Sequence, residues 1–315
     1  MSNTGRNEKR SVAESGPGQM AAEGSPKGAE LSPLPQEEYV EQVHFFQVLG
    51  QRLRENSPAQ EVLRSVREEV LATTKLPMAI DFLLAELRHL GAFAPAMLRL
   101  SHYFTPFQCY VISEAENDRR RFDLRVALEI LGREAQYRTE SISRQGLFLY
   151  QFETLCRNRL GYDAGLEAMA RDPSYDEAWA DWLMTVRRQI GIVELADLIY
   201  VRSRYYHQKR ASLAAEQHSA EALAAAAAGQ GCPVLFGQRE GRIAWANSQK
   251  DPLLLFAALH RQLGYPQVPK TKRADLEQHL LPSLARRVEQ LEARLKLVEE
   301  EQRGGIDLDR FYVSP

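Results

Sequence analysis

Between Glu37 and Tyr206 the chain repeats one pattern. Apolar residues fall three and four apart, opened by a capping residue or a proline and closed by a glycine. That spacing puts the apolar side chains on one stripe of a helix. No stretch there sustains the period of two that a half-buried strand needs. A chain written this way is confined to helix-on-helix packing. Tyr39, Val43, Phe46 and Leu53 form the first stripe. Ser57-Pro58-Ala59-Gln60 reads as a helix start, with Ser57 at the N-cap, Pro58 in the first turn and Gln60 reaching back. The helix it opens turns Val62, Leu63, Val66 and Val70 inward. Pro77 opens the next, with Ile80, Leu83, Leu84 and Leu87 as its stripe and Gly91 as its stop. Thr105-Pro106-Phe107-Gln108 repeats the capping logic. Leu124, Leu128 and Leu131 mark another helix, and Leu147 to Leu160 another that ends at Gly161. Ser174-Tyr175-Asp176-Glu177 reads as a further capping box, its helix running to about Gly191, and Ile192 to Tyr206 completes the set. Residues 36–206 are thus predicted to form an all-α domain of roughly eight helices.

A second periodicity lies near the C-terminus. Leu281, Leu284, Val288, Leu291, Leu295 and Val298 alternate spacings of three and four, which is a heptad seam with Leu281, Val288 and Leu295 at a and the others at d. In a parallel pair Arg287 meets Glu292 of the other strand and Arg294 meets Glu299. The seam predicts a coiled-coil helix over 275–303 and a homo-oligomer built on it. The competing reading is a single amphipathic helix lying on its own domain. Pro282 either starts the coil in its first turn or kinks a longer helix begun at Asp275.

The remaining segments follow from composition. Residues 1–35 carry almost no large apolar side chains, so they cannot offset their ordering entropy and are predicted to be a disordered tail. Residues 207–231 are Ala-rich and read as an exposed helical connector ending at Gly229 and Gly231. In 232–270, Val234-Leu235-Phe236 and Arg242 to Ala246 flank Gly237 and Gly241 and predict a small hairpin. A helix follows, capped by Asp251-Pro252 and stopped at Gly264. Residues 304–315 concentrate Ile306, Leu308, Phe311, Tyr312 and Val313 in a stretch too short to fold alone. It packs on its own domain or docks on a protein partner. The predicted fold class is mainly α: a multi-helix domain, a small helix-plus-hairpin segment and a C-terminal coiled-coil helix.

Charge and cysteines narrow the functional classes. The formal net charge is −2, so the chain as a whole has no footprint for non-specific nucleic-acid binding, and that class is disfavoured. Tyr200, Tyr205 and Tyr206 with Arg202, Arg204, Lys209 and Arg210 could stack and neutralise a single strand. They fall mostly within one helix, with no second basic surface evident, so an amphipathic stripe explains them better. No apolar run is long enough to span a bilayer, and the polar N-terminus lacks the apolar core of a secretory signal, so no membrane association is expected. Cys109, Cys156 and Cys232 are far apart and in no metal spacing. They read as reduced thiols in a cytosolic protein.

Two Glu-x-x-His pairs, Glu41/His44 and Glu86/His89, place a carboxylate and an imidazole on one helix face. The spacing resembles that of the four-helix carboxylate di-metal proteins, which implies a metal-dependent helical enzyme as the alternative function. The first pair lies on the first ordered helix, however, with no earlier helix to supply the bridging Glu of that family. Chance also produces such pairs readily, so ordinary polar contacts are the expected use and no metal site is assigned. Leu166 to Trp179, with Ala168, Asp172-Pro173 and Ala178-Trp179, resembles the junction between two tetratricopeptide repeats. Their period does not recur on either side, and Gly161 and Gly165 stand where that family has packed helix residues. The stretch is therefore read as a helix–turn–helix corner with no binding residues carried over. Phosphate-loop, nucleophile-elbow and dinucleotide motifs are missing, and no cofactor is called for. The favoured reading is a cytosolic, non-catalytic helical interaction or scaffold protein that self-associates through its C-terminal helix.

Overall fold

The computed structural model describes residues 32–117, 122–140, 143–217 and 232–270. The chain order begins with α1 (Gln36–Arg54), α2 (Ala59–Glu69), α3 (Leu76–Leu90), α4 (Ala94–Arg99), α5 (Pro106–Ala115), α6 (Leu124–Thr139) and α7 (Arg144–Asn158). It continues with α8 (Tyr162–Ala170), α9 (Glu177–Gln189), α10 (Leu195–Val201), α11 (Arg204–Gln217), α12 (Gln238–Ala246) and α13 (Pro252–Leu263). The described residues are mainly helical, as the periodicity predicts, and contain no strand longer than an isolated bridge. Among them no helix is long and apolar enough to cross a membrane.

The helix α1 packs along α6, α2 on α3, α8 on α9, and both α10 and α11 on α12. The stripes read from the sequence point inward: Tyr39, Phe46, Val62, Leu63, Val66, Ile80, Leu83 and Leu87 are all buried. One apolar cluster runs from α1 to Val268. At its centre Phe148, Trp179, Trp182 and Phe236 pack edge-to-face, with Phe148–Trp182 centroids 4.8 Å apart and Trp182–Phe236 centroids 5.2 Å apart. Such ring pairs contribute roughly 0.5–1.5 kcal/mol each beyond the area they bury.

Several helix ends follow their sequence signals. Thr105 accepts from the Gln108 backbone N–H while the Gln108 side chain accepts from the Thr105 N–H, a complete capping box. Asp251 caps α13, and Gly91 closes α3 at φ 69°, a left-handed conformation that glycine adopts without Cβ strain. Two caps fall elsewhere. Ser57 does not cap α2, because its backbone N–H closes the end of α1 on the Arg52 carbonyl at 3.1 Å, and α2 begins after Pro58. Ser174 does not cap α9; Asp176 does, accepting from the Trp179 N–H at 3.0 Å, because the Ser174 hydroxyl is engaged by Arg138. The helix α7 ends at Asn158 with Arg159 left-handed, and Gly161 instead precedes α8.

The hairpin expected at 234–246 is absent, and Gln238–Ala246 is the helix α12. The apolar run before it is extended, but its partner is not the segment across Gly237. Leu235 and Phe236 donate to the Arg202 carbonyl at 2.9 and 3.1 Å, and Arg204 donates to the Phe236 carbonyl at 3.0 Å. The period is helical: Gly241 and Ala244, three apart, are the buried positions of α12. Gly241 sits against the start of α11 so closely that a Cβ there would lie 2.2 Å from Ser203 Oγ and 2.9 Å from Tyr205 Cβ. Only glycine allows this approach. The predicted 281–302 coil, the 1–31 part of the tail, most of the Ala-rich stretch and the terminal apolar tail lie outside the described residues.

Candidate interaction surfaces and the buried polar network

The Glu-x-x-His residues have other partners. The Glu41 carboxylate accepts from the Leu71 backbone N–H at 2.9 Å. Its neighbour Glu38 accepts from the Lys75 N–H at 2.8 Å and from the Tyr103 hydroxyl at 3.0 Å. Two carboxylates on α1 thereby satisfy the backbone of the α2–α3 connection, groups that would otherwise be costly to bury. His44 Nε2 lies 3.4 Å from Glu69, whose carboxyl is held below its ordinary range chiefly by the hydrogen bond from Arg52. Glu86 pairs with Arg99 at 2.8 Å, and His89 is exposed near the end of α3. Among the described residues no group of three or more His, Cys, Asp or Glu is placed to hold a metal.

A polar network that the sequence did not reveal lies inside the helices. The Arg138 guanidinium on α6 is fully buried and reaches Glu134 at 2.9 Å, Asp172 at 2.5 and 3.3 Å, and the Ser174 hydroxyl at 2.7 Å. Gln151 donates to Glu134 at 2.7 Å and accepts from the Tyr175 hydroxyl at 2.8 Å. Tyr39 places its ring face 5.8 Å from the guanidinium carbon. Two carboxyls facing one cation leave a surplus negative charge if both ionise. Burial, set against the pull of Arg138 and reinforced by Asp172, holds the Glu134 carboxyl above its ordinary range. The network joins α1, α6, α7 and the α8–α9 corner, so it is a structural clamp. Burial pushes the Cys109 thiol up to about 12, and desolvation pushes the partly buried Cys156 thiol up to about 11, away from the activated range.

Clefts among the described residues include three that open to the surface. The one between α1 and α6 is polar, and Arg54 and Arg133 on its walls both pair with Glu129, while Arg125 makes no ion pair among the described residues. A second, of about 440 Å³, is mainly apolar and lies among α7, α8, the α9–α10 turn and the start of α13, lined by Phe152, Tyr162, Val193, Leu253 and Phe256. Ile192 stands at its edge, 85% exposed. The third, of about 500 Å³, lies between α11, α12 and α13, with Tyr205, Arg239, Arg242, Trp245, Asn247 and Gln262 on its walls. Its exposed indole was legible in the sequence only as a hydrophobic residue of the supposed hairpin.

No family model, no curated protein and no solved structure matches this chain.

Proposed function

We propose that the protein is a cytosolic, non-catalytic helical interaction or scaffold protein that self-associates through residues 281–302. The observation that carries this reading is the seam of Leu281, Leu284, Val288, Leu291, Leu295 and Val298, with Arg287 and Arg294 placed to meet Glu292 and Glu299 of a second strand. Each seam residue gains about 1.5–3 kcal/mol on full burial, and association and side-chain ordering offset a large part of that. A short coil is therefore marginal alone and benefits from a body attached to it.

The described body supports the reading. Its last residues are tied down: Arg133 donates to the Gln267 carbonyl at 2.5 Å, Asn158 to the Pro269 carbonyl at 3.1 Å, and Tyr265 to Glu153 at 2.7 Å. The segment leading to the seam thus leaves from a fixed point. The apolar cleft around Ile192 offers a surface for a protein partner, and the terminal Ile306, Leu308, Phe311, Tyr312 and Val313 supply apolar bulk for docking. Light scattering across a concentration series tests the proposal. The wild type is expected to be a dimer, and the double variant Leu291→Asp, Leu295→Asp a monomer with unchanged body helicity by circular dichroism. A wild type that stays monomeric at high concentration overturns it.

A further inference from the structure

We propose that the cleft between α11, α12 and α13 binds single-stranded nucleic acid, a short run of nucleotides stacked on Trp245 and Tyr205 with phosphates on Lys209, Arg239 and Arg242. The fold brings these groups together from segments about thirty residues apart in sequence. The sequence places the aromatic and basic residues within 200–210, now the end of α10 and the start of α11, which an amphipathic stripe explains. The structure adds the second basic surface, because Gly241 lets α12 seat directly on Ser203 and the first turn of α11.

Three features of the cleft select the ligand. First, Trp245 is 51% exposed, and the half-buried Tyr205 lies beside it with ring centroids 6.4 Å apart, so two aromatic rings share one wall of the cleft. Second, the Lys209 ammonium lies 4.2 Å from the Trp245 centroid, and Arg239 and Arg242 stand on the adjacent wall with no ion-pair partner among the described residues. Third, no carboxylate among the described residues lines the cleft, while two arginines do, so its described walls carry positive charge although the chain carries a net charge of −2. Glu240, the acidic residue of α12, folds back toward Gly237. A ligand that uses both the rings and the cations is planar and repeatedly anionic. Bases stack on any aromatic face, and the backbone between them supplies the phosphates. An acidic peptide satisfies the cations but leaves the indole uncovered. A stacked base exchanges with the Lys209 ammonium over the ring and frees that ammonium for a phosphate.

The test uses the full-length protein and fluorescein-labelled dT12 and U12, read by anisotropy, together with Trp fluorescence. Trp179 and Trp182 are buried, so quenching on stacking reports on Trp245. Binding that weakens with salt at a log–log slope of about −2 is expected, since three phosphates are neutralised on a single strand. Arg239→Glu with Arg242→Glu should weaken binding at least tenfold and reduce that slope to about −0.7. Trp245→Ala should abolish the quench and weaken binding severalfold, and Trp245→Phe should restore most of the affinity. These residues are on the surface, and unchanged circular dichroism verifies the fold. Equal binding of dT12 and U12 assigns a strand binder without sugar preference, and a preference for one assigns the source. The proposal is overturned if neither strand quenches Trp fluorescence, if the double variant binds like the wild type, or if poly-glutamate competes as well as the oligonucleotides and Trp245→Ala changes nothing. The last outcome makes the cleft a site for an acidic protein partner.

Discussion

Arg138 is a buried cation tied to Glu134, Asp172 and Ser174. Its guanidinium is buried with no access to water, so the partner that compensates its charge cannot be removed cheaply. Asp172 presents both carboxylate oxygens to it. Asp172→Asn is expected to destabilise the fold by about 3–5 kcal/mol, the range for breaking a buried pair and leaving one charge unpaired, measured by urea denaturation. Glu134 behaves in the opposite way. Its folded carboxyl titrates above the ordinary range, so the folded chain holds a proton that the unfolded chain has released. That contribution is complete below the unfolded value and is lost as pH rises through the folded one. Stability should therefore fall on this account as pH rises from the ordinary carboxylate range through the raised folded value. Glu134→Gln, which keeps an acceptor for Arg138 and Gln151, should flatten that slope and stay within about 1 kcal/mol of wild type where the wild-type carboxyl is protonated. A loss as large as that of Asp172→Asn would mean that Glu134 is needed as a charge. None of this was legible in the sequence. The partners on α6, α7 and the α8–α9 corner stand 17 to 36 residues apart, and nothing in a helical stripe marks an arginine as internal.

At the scale of elements the sequence was more legible, and its failures have local causes. The helical class follows from period alone. The caps at Thr105 and Asp251 are readable because each competes with nothing else. Thr105→Ala should cost about 0.5–2 kcal/mol in thermal or chemical denaturation, since it leaves the Gln108 backbone N–H without its acceptor in a buried setting. Ser57 and Ser174 have the same residue chemistry and do not cap, because a tight connection claims the backbone of one and Arg138 claims the hydroxyl of the other. The hairpin failed for a different reason. A short run such as Arg242 to Ala246 satisfies both periods, and the tie is broken by Gly241 and Ser203, a contact between segments far apart in the chain. The same contact explains why only half of the basic cleft was visible beforehand. Gly241→Val should displace α12 from α11 by steric clash. It is expected both to lower stability and to abolish the oligonucleotide quench, while Arg239→Glu with Arg242→Glu loses binding without losing stability.

For the whole molecule, the question is whether 232–270 folds as an appendage or as part of the body. Composition separates it from 36–206, since an Ala-rich stretch stands between them. Packing does not, because Phe236 lies within 6.2 Å, centroid to centroid, of Phe148, Trp179 and Trp182. Phe256 packs on Phe152, and Tyr265 bonds to Glu153 on α7. A ring buried to 1% exposure among three aromatic neighbours leaves a cavity when removed, and such truncations cost about 3–5 kcal/mol. If the two segments share one core, Phe236→Ala lowers the unfolding midpoint seen by far-ultraviolet circular dichroism, which reports all the helices, and that seen by Trp179 and Trp182 fluorescence by the same amount. The two transitions stay superimposed as in a single cooperative unit. If 232–270 were an appendage, its loss would appear as an early, small-amplitude transition, and the dichroism of α1 to α9 would melt at the wild-type midpoint. The hydrogen bonds from Arg133 to Gln267 and from Asn158 to Pro269 favour the first outcome, because they continue the attachment past α13 to the last described residues.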